Sequence, residues 1–339
     1  MIFWIWLLGG GALLWWAWEK MHRRTHAVRG GVHENITLDH EQEFELYHNS
    51  LSLCSKKVRV CLAELGIDYK SHHIDLIETG SYEVISRHYL KVNPSGVVPA
   101  LVHNGHPVYE SHDIIAYCAE RAGPEAPQLV PKDSRARAIM QEWVSRASLE
   151  GDDAPARVKQ SAANCVALLT APLFCSGIYE IPYRKIFEGL LFHRLRIRPM
   201  LFMMLKLRGL RGFRKIRPLM TMLVSGRNYM AIHLDLLDKH LAESGSWICG
   251  EQYTLADVSW LVIFERLQEA SWYEYFLGGE QRPHVDAYRQ RLKARASYHA
   301  AIEEHRLPIV TRATQRLCMA KQEDSLLREA LEPESARGR

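Results

Sequence analysis

The chain has 339 residues, which is long enough for two domains with their own hydrophobic cores and for additional segments. A net charge of +4 excludes a nucleic-acid-binding protein on bulk charge. The seven cysteines are scattered and never spaced as C-x-x-C, which predicts a reducing compartment and excludes a disulfide framework or a cysteine-rich zinc site; they are Cys54, Cys61, Cys118, Cys165, Cys175, Cys249 and Cys318. The histidines show no ligand pattern, so no metal is expected.

The first residues predict a transmembrane anchor over 1–19. Ile2 to Trp18 carries no charge and reaches the lower limit of about 17 residues for a membrane span. Tryptophans at both ends resemble interfacial belts; they are Trp4, Trp6, Trp15, Trp16 and Trp18. A cleaved signal peptide is the alternative, but no positive region precedes the apolar run and no small-residue cleavage site follows it.

Basic residues follow the apolar run at Lys20, Arg23, Arg24 and Arg29. By the positive-inside rule, they place the rest of a single-pass membrane protein on the cytoplasmic side. Residues 20–42 are polar, contain Gly30-Gly31 and are predicted to be a linker.

The folded part begins with a β-α-β unit. A strand is predicted over Phe44 to His48, a helix over Cys54 to Leu65 and a second strand over Tyr69 to Leu76. The loop from Ser50 to Ser55 leads into the positive end of that helix, so an oxygen or sulfur there is well placed for chemistry. Ser52 and Cys54 are the candidates, although a turn or cap serine and a core cysteine are the plain alternatives.

The stretch from Asn93 to Tyr117 predicts a small binding site. Pro99 stands where a strand begins, which is typical of a fixed turn with a cis bond. Asn104-Gly105 predicts a tight hairpin, and a helix is predicted from Ser111. The strand edge at Val98 and this helix start would flank one concavity that suits a peptide-like ligand with a carboxylate. Alternatively, Ser111 only caps the helix.

The second half is predicted to be an all-helical domain over 132–319, followed by a charged tail over 320–339 that frays. A helix is expected from Ser134 to about Glu150. Thr254 to Asp257 forms a capping box that opens an apolar helix from Val258 to Leu267.

Residues 178–219 form a basic segment that interrupts this helical pattern. Its cations alternate with Leu, Phe and Met; they are Arg184, Lys185, Arg194, Arg196, Arg198, Lys206, Arg208, Arg211, Arg214, Lys215 and Arg217. The segment could lie on anionic lipid, or it could be an amphipathic helix packed on its own domain, and the sequence leaves both open.

The motifs of residues 43–123 resemble the thioredoxin-like domain of the glutathione S-transferase superfamily. Val98-Pro99, the Glu110-Ser111 pair and Cys54 to Arg59, which reads C-S-x-x-V-R two residues after Ser52, resemble its zeta/theta-like serine-type members. Leu46 to His48, Lys57 to Arg59 and Asn93 to Pro99 also resemble the ganglioside-induced differentiation-associated branch, in which long insertions occur. The resemblance implies an α+β thioredoxin-like domain followed by an all-α domain.

The resemblance also implies roles for individual residues. The main chain of Val98 would pair with the cysteinyl part of glutathione, with Pro99 holding that edge free. Glu110 would complement the ammonium of the γ-glutamyl group, and Ser111 its carboxylate. Ser52 would donate a hydrogen bond to the glutathione sulfur, with Cys54 as the rival that could form a mixed disulfide. Lys56 and Lys57 are interpreted as solvated helix charges, with assistance to the glycyl carboxylate of glutathione by one of them as the alternative.

The function predicted from these residues is conjugation of glutathione, as co-substrate, to a small apolar electrophile, or thiol-dependent reduction of that electrophile, at a membrane. The alternative is a membrane-tethered binding or scaffold protein that keeps the fold without turnover. Membrane lipid is an expected partner and nucleic acid is not. The resemblance further implies a homodimer, whose usual surface the insertion could obstruct.

Overall fold

A computed structural model describes residues 2–149, 154–193 and 197–334, and the side chains of residues 2–8 and 154 are outside that description. The strands are β1 (Gly31–Val32), β2 (Phe44–His48), β3 (Lys70–His73), β4 (Ala100–His103) and β5 (His106–Tyr109). In the first half of the chain the helices are α1 (Ile2–His22), α2 (Leu53–Leu65), α3 (Tyr89–Val92) and α4 (Ser111–Arg121).

The helices of the second half follow without a strand. They are α5 (Ser134–Arg146), α6 (Ala162–Leu169), α7 (Ala171–Gly177), α8 (Tyr183–Phe192), α9 (Ile197–Phe213), α10 (Arg217–Ser244), α11 (Leu255–Glu269), α12 (Tyr273–Leu277), α13 (Pro283–Lys293), α14 (Ala296–Tyr298), α15 (Pro308–Glu323) and α16 (Ser325–Leu331). This order agrees with the predicted thioredoxin-like domain and all-helical domain.

The sheet has the strand order β1-β5-β4-β2-β3. β2 runs parallel to β3 and antiparallel to β4, and the β4–β5 hairpin turns at Asn104-Gly105, as the sequence predicts. Asn104 and Gly105 both have positive φ, 49° and 83°, which this type of turn requires. β1 adds a strand to the edge at β5, so the segment predicted to be a linker is packed on the sheet.

Two local signals place the helices that matter most. Gly66 ends α2 in a left-handed conformation with φ 65°, where its N–H bonds to the carbonyls of the last turn. Thr254 and Asp257 satisfy each other's main-chain donors at the start of α11, which confirms the predicted capping box. The buried Asp257 carboxylate also accepts from Tyr288 at 2.7 Å and from the Ile248 N–H at 3.1 Å.

A buried ion cluster joins the two domains. Lys56 on α2 pairs with Glu269 at the end of α11, and Arg266 donates to the same carboxylate at 2.9 Å. Arg266 also donates to the Leu51 carbonyl, in the loop before α2. Lys56 is 3% exposed, so the interpretation of this residue as a solvated helix charge is wrong. Burial lowers the pKa of Lys56, whereas the two cations hold the pKa of Glu269 below its ordinary value against the effect of burial.

A second contact between the domains centres on Arg59, whose side chain is almost fully buried. Its Nε donates to the Ala301 carbonyl at 2.9 Å, and its Nη1 lies 3.1 Å from Nδ1 of His48. The His305 ring packs edge-on against His48 at 5.5 Å. Burial and Arg59 lower the pKa of His48 to about 2 and that of His305 to about 4, so both imidazoles are neutral in the folded protein.

The predicted N-terminal transmembrane helix is not supported. Within the described ranges, one helical stretch is long and apolar enough to cross a membrane, Ala162–Glu180, and 72% of it is buried in the helical domain. That stretch combines α6 and α7 and serves as core. The side chains of Trp4 and Trp6, on which the predicted outer belt depends, are outside the described residues.

The basic segment packs on its own domain. Phe202, Leu205 and Phe213 of α9 are buried, and the ammonium of Lys206 donates to three carbonyls at 2.7 to 3.0 Å. Arg198 pairs with Glu78 of the first domain. Arg194 and Arg196 are outside the described residues.

The predicted fraying tail is folded as far as the structure describes it. Leu327 and Leu331 of α16 are buried, and Lys321 pairs with Glu332 at 2.5 Å. The prediction of a fraying tail was based on its charged composition and did not take account of Leu327 and Leu331, which lie one helical turn apart on the buried side of α16.

We expect Glu269→Gln to lower the free energy of unfolding by about 3 kcal/mol, because it leaves the buried Lys56 ammonium without its counter-charge. The matched control is Glu142→Gln, which removes an exposed ion pair with Arg146 and should cost less than about 1 kcal/mol. Urea unfolding followed by tryptophan fluorescence measures both. Equal losses in the two variants would contradict a structural role for the cluster.

Acid should destabilise the protein through His48 and His305. Their folded pKa values lie below the ordinary 6.5, so the unfolded chain binds more protons below that pH. Stability is therefore complete above about pH 6.5 and decreases as the pH falls toward 4. Between pH 6.5 and 4, we expect the free energy of unfolding of His305→Gln to fall by on the order of 1 kcal/mol less than that of the parent, because the variant lacks this imidazole. Urea unfolding at several pH values measures it, and the exposed His284→Gln should keep the parental slope.

Candidate functional site

A cavity of about 1060 Å³ opens between the sheet domain and α5. Three separate stretches of the first domain line it: the loop into α2, the loop before β4 and the start of α4. All six predicted site residues lie on its wall; they are Ser52, Cys54, Val98, Pro99, Glu110 and Ser111. The structure therefore brings together residues that are 59 positions apart in the chain, counting from Ser52 to Ser111.

The loop into α2 is held by Asn49, which is fully buried. Its side-chain amide donates to the Ile74 carbonyl at 2.9 Å, and its oxygen accepts from the Leu51 N–H at 2.9 Å. Ser52 follows as the N-cap of α2, where its hydroxyl oxygen accepts from the Ser55 N–H at 3.3 Å. The hydroxyl hydrogen remains available to a ligand in the cavity, beside the positive end of the helix.

Cys54 lies in the first turn of α2 and is partly exposed to the same cavity. The expectation that it faces the core is wrong, so burial is no reason to prefer Ser52. Because both residues face the cavity, a hydroxyl donor and a free thiol are available together. Their chemical roles remain predictions.

Lys57 lies one helical turn after Cys54 and is 2% exposed, which also corrects its interpretation as a solvated charge. Its ammonium donates to the Ala147 carbonyl at 3.2 Å and to the Ser148 hydroxyl at 3.1 Å. Burial lowers the pKa of Lys57 to about 8, and the electrostatic attraction of Cys54 opposes part of that shift. Lys57 therefore brings a positive charge beneath the cavity wall, and sequence reasoning missed it because a lysine beside a lysine resembles a solvated helix face.

The loop before β4 presents a free strand edge. The Val98-Pro99 peptide bond is cis, as predicted. The Val97 carbonyl accepts from the Tyr89 hydroxyl at 2.5 Å and from the Asn93 amide at 2.9 Å, which fixes the approach to this bond. β4 begins at Ala100, so the main chain of Val98 lies beyond the last cross-strand pair and borders the cavity.

The start of α4 carries Glu110 and Ser111. Glu110 has φ 64°, an uncommon conformation for a residue other than glycine, which costs of order 1–3 kcal/mol and is often kept at functional sites. The first bond of α4 runs from the Ile114 N–H to the Glu110 carbonyl at 2.8 Å, so the earlier N–H groups have no intrahelical partner. Ser111 is 6% exposed and borders the cavity there.

The opposite wall comes from α5 and the turn after it. Met140, Val144 and Leu149 contribute apolar surface, and Arg137 contributes a cation. These residues were not identified from the sequence. The aromatic side chains of Trp143, Phe174 and Tyr179 do not line the cavity. Among the residues that the structure describes, no cluster of His, Cys, Asp or Glu could hold a metal ion.

Comparison with protein families gives two matches. The family model for the glutathione S-transferase N-terminal domain matches residues 51–121, and the model for the glutathione S-transferase C-terminal domain matches residues 231–291. The first covers Ser52 in the loop into α2, the cis proline and the start of α4. The second covers the second half of α10, all of α11 and α12 and most of α13.

Two curated relatives show similar sequences. The tetrachloro-p-hydroquinone reductive dehalogenase of Sphingobium chlorophenolicum is 25% identical over 269 residues, 76% of this chain and 95% of that protein. Glutathione S-transferase 1 of Dianthus caryophyllus is 39% identical over 98 residues, 29% of this chain and 42% of that protein. The higher identity is therefore confined to less than half of the plant relative.

Two solved structures show the same fold. A beta-etherase from Sphingobium sp. strain SYK-6 has a TM-score of 0.62 at 21% identity, over 78% of this chain and all of that one. The theta class glutathione S-transferase of Xanthomonas axonopodis pv. citri, solved with glutathione bound, has a TM-score of 0.51 at 18% identity, over 77% of this chain and 98% of that one.

Two stretches of the chain thus match glutathione S-transferase family models, which supports the resemblance to that superfamily. Relatives named as glutathione S-transferases support the prediction of an enzyme of that kind with glutathione as its co-substrate. The roles of the individual site residues stay predictions.

Proposed function

We propose that this member of the glutathione S-transferase superfamily conjugates glutathione to a small apolar electrophile, or uses glutathione to reduce it. The observation that carries the proposal is the single cavity that holds a strand edge, a helix start, a hydroxyl and a thiol. The α5 wall provides apolar surface for the second substrate, next to Cys54 and Ser52.

Glutathione would bind along the first domain. The free main chain of Val98 suits antiparallel pairing with the cysteinyl part of the tripeptide. The N–H groups and hydroxyl at Ser111 suit the γ-glutamyl carboxylate, and the Glu110 carboxylate suits the adjacent ammonium. This alignment directs the glutathione sulfur toward Ser52 and Cys54.

The two residues at the sulfur support two outcomes. Ser52 would donate a hydrogen bond to the glutathione thiolate, which then attacks the electrophile in a conjugation. In a reduction, the Cys54 thiolate would attack the glutathionyl sulfur of the conjugate. The bond between sulfur and substrate breaks, its electron pair stays on the substrate carbon, which takes a proton from water to give the reduced product, and Cys54 is joined to glutathione as a mixed disulfide. A second glutathione thiolate releases Cys54 and forms oxidised glutathione.

The relative that matches 76% of this chain is named as a reductive dehalogenase, which supports the second outcome. The position of Lys57 also supports it, because its buried side chain lies one helical turn after the partly exposed thiol of Cys54. A tetrachlorohydroquinone is therefore a rational probe for the reduction, and chlorodinitrobenzene is one for the conjugation.

Titration of the full chain with glutathione should detect binding, and Glu110→Gln should weaken it about tenfold through loss of the charged partner. Glu125→Gln, at an exposed glutamate outside the cavity, should bind as the parent does. Calorimetry measures the three dissociation constants. A parent that binds no glutathione at millimolar concentration would overturn the proposal in favour of a binding protein without turnover.

Ser52→Ala should still bind glutathione while conjugation of chlorodinitrobenzene decreases by about a hundredfold. Cys54→Ser should keep conjugation and lose reduction of tetrachlorohydroquinone, whereas Cys318→Ser, outside the cavity, should keep both. Initial rates with each substrate measure the separation. If Cys54→Ser reduced tetrachlorohydroquinone at the parental rate, Cys54 would not be required and Ser52 alone would act at the glutathione sulfur.

Membrane association is the second element of the proposal. Its support is the exposed apolar surface of α1, where Leu13, Leu14 and Trp15 are 67%, 75% and 56% exposed. α8 lies beside α1, joined by Arg23 to Glu188 at 2.8 Å, and adds exposed Tyr183, Phe187 and Leu191. A helix pair with such a surface suits contact with the membrane interface.

The full chain should therefore sediment with phosphatidylcholine vesicles, and more strongly when they contain phosphatidylserine. Leu13→Glu with Leu14→Glu should reduce the bound fraction severalfold, because these side chains would enter the acyl region. Leu326→Glu, at an exposed leucine on α16, is the matched control. Equal sedimentation of all three would contradict association through α1.

A further inference from the structure

Residues 25–38, here termed the strap, run across the first domain beside the cavity. The strap begins at the buried Thr25, and the His26 N–H donates to the Pro94 carbonyl at 3.0 Å, in the loop before Val98. At its other end the Leu38 N–H donates to the Gly105 carbonyl at 2.8 Å. Main-chain hydrogen bonds thus hold both ends of the strap on the first domain, although its polar composition resembles that of a linker.

The middle of the strap is an added strand. β1 pairs with β5 so that Gly31 lies opposite Tyr109 and Val32 opposite Val108. The His33 N–H extends the ladder to the Pro107 carbonyl at 2.9 Å. Tyr109 directly precedes Glu110, so this pairing holds the strap against the turn that carries the strained glutamate.

Close approach at Gly30 shows how tightly the strap meets the site. A Cβ at this position would lie 2.1 Å from Oδ2 of Asp113 and 3.1 to 3.2 Å from the side chain of Glu110. A larger residue at this position would therefore displace the Asp113 carboxylate and crowd the side chain of Glu110. Val28, two residues earlier, is half-buried and lines the cavity together with Glu110, Ser111 and Asp113.

We infer that the strap forms the outer wall of the subsite for the γ-glutamyl end of glutathione, with Val28 and Gly30 as specificity-determining residues. The inference rests on the proposed function. Val28 closes the cavity beyond the amino group of the ligand, and Gly30 lets the strap hold Glu110 in its ligand-facing conformation. The subsite accepts a free α-amino group and excludes an acylated one.

Calorimetry on the full chain tests this with glutathione and N-acetylglutathione. The parent should bind glutathione and discriminate strongly against the acetylated ligand. Val28→Gly should weaken the binding of glutathione about fivefold, since it removes a partly buried apolar contact. It should also reduce the ratio between the affinities for glutathione and N-acetylglutathione. Gly30→Ala should weaken the binding of glutathione by a similar factor, because the added methyl group displaces the strap from Glu110 and Asp113.

The matched control is Gly123→Ala, where an added Cβ meets nothing within 4 Å. It should leave both affinities unchanged. Steady-state rates supply a readout that general destabilisation would not give: the strap variants should raise KM for glutathione and leave KM for chlorodinitrobenzene unchanged.

The outcomes separate this inference from the function on which it rests. If the parent binds glutathione and both strap variants have the same affinities for glutathione and N-acetylglutathione as the parent, the inference is overturned and the proposed function is not. A parent that binds no glutathione overturns both. Weaker glutathione binding with narrowed discrimination in Val28→Gly supports the strap as a wall, because a merely unstable protein would not gain relative affinity for the larger ligand.

Discussion

The buried ion cluster of Lys56, Glu269 and Arg266 is the interaction on which the site depends. Each charge is stabilised only because the others lie within the same interface, and the cluster exists only when the sheet domain and α11 are docked. Arg266 also binds the Leu51 carbonyl, immediately before Ser52. Docking of the helical domain and placement of the loop before α2 are therefore coupled, and the cavity is a consequence of the interface.

The two sides of the cavity differ in the chemical groups that they present. The loops of the sheet domain offer main-chain groups and small polar side chains, which suit a peptide ligand whose position must be fixed. The α5 wall offers Met140, Val144 and Leu149, which suit an apolar partner of less defined shape. Beneath them, Lys57 brings a cation close to the free thiol of Cys54. In the proposed function, the first side would therefore bind glutathione and the α5 wall would accept electrophiles of varied shape.

Much of the first domain was predictable because its signals are local. The Asn104-Gly105 turn, the cis bond at Pro99 and the helix start at Ser111 each depend on neighbouring residues, and the structure has all three. The interpretation of Lys56 and Lys57 as solvated charges failed because side-chain burial depends on elements far along the chain. The strap was missed for a related reason: a polar segment gains order only when the β5 edge is available to pair with it.

The sequence by itself determined the two-domain fold and the residue types of the site, since turns, caps and hydrophobic periodicity are encoded over short distances. Only the tertiary structure decided which of those residues share a cavity, which charges are buried and where the N-terminal segment lies. The physical reason is that these properties arise from contacts between distant segments, such as Lys56 with Glu269 and Gly30 with Asp113. Their free energies depend on burial and on exact separation, and neither is present in the unfolded chain.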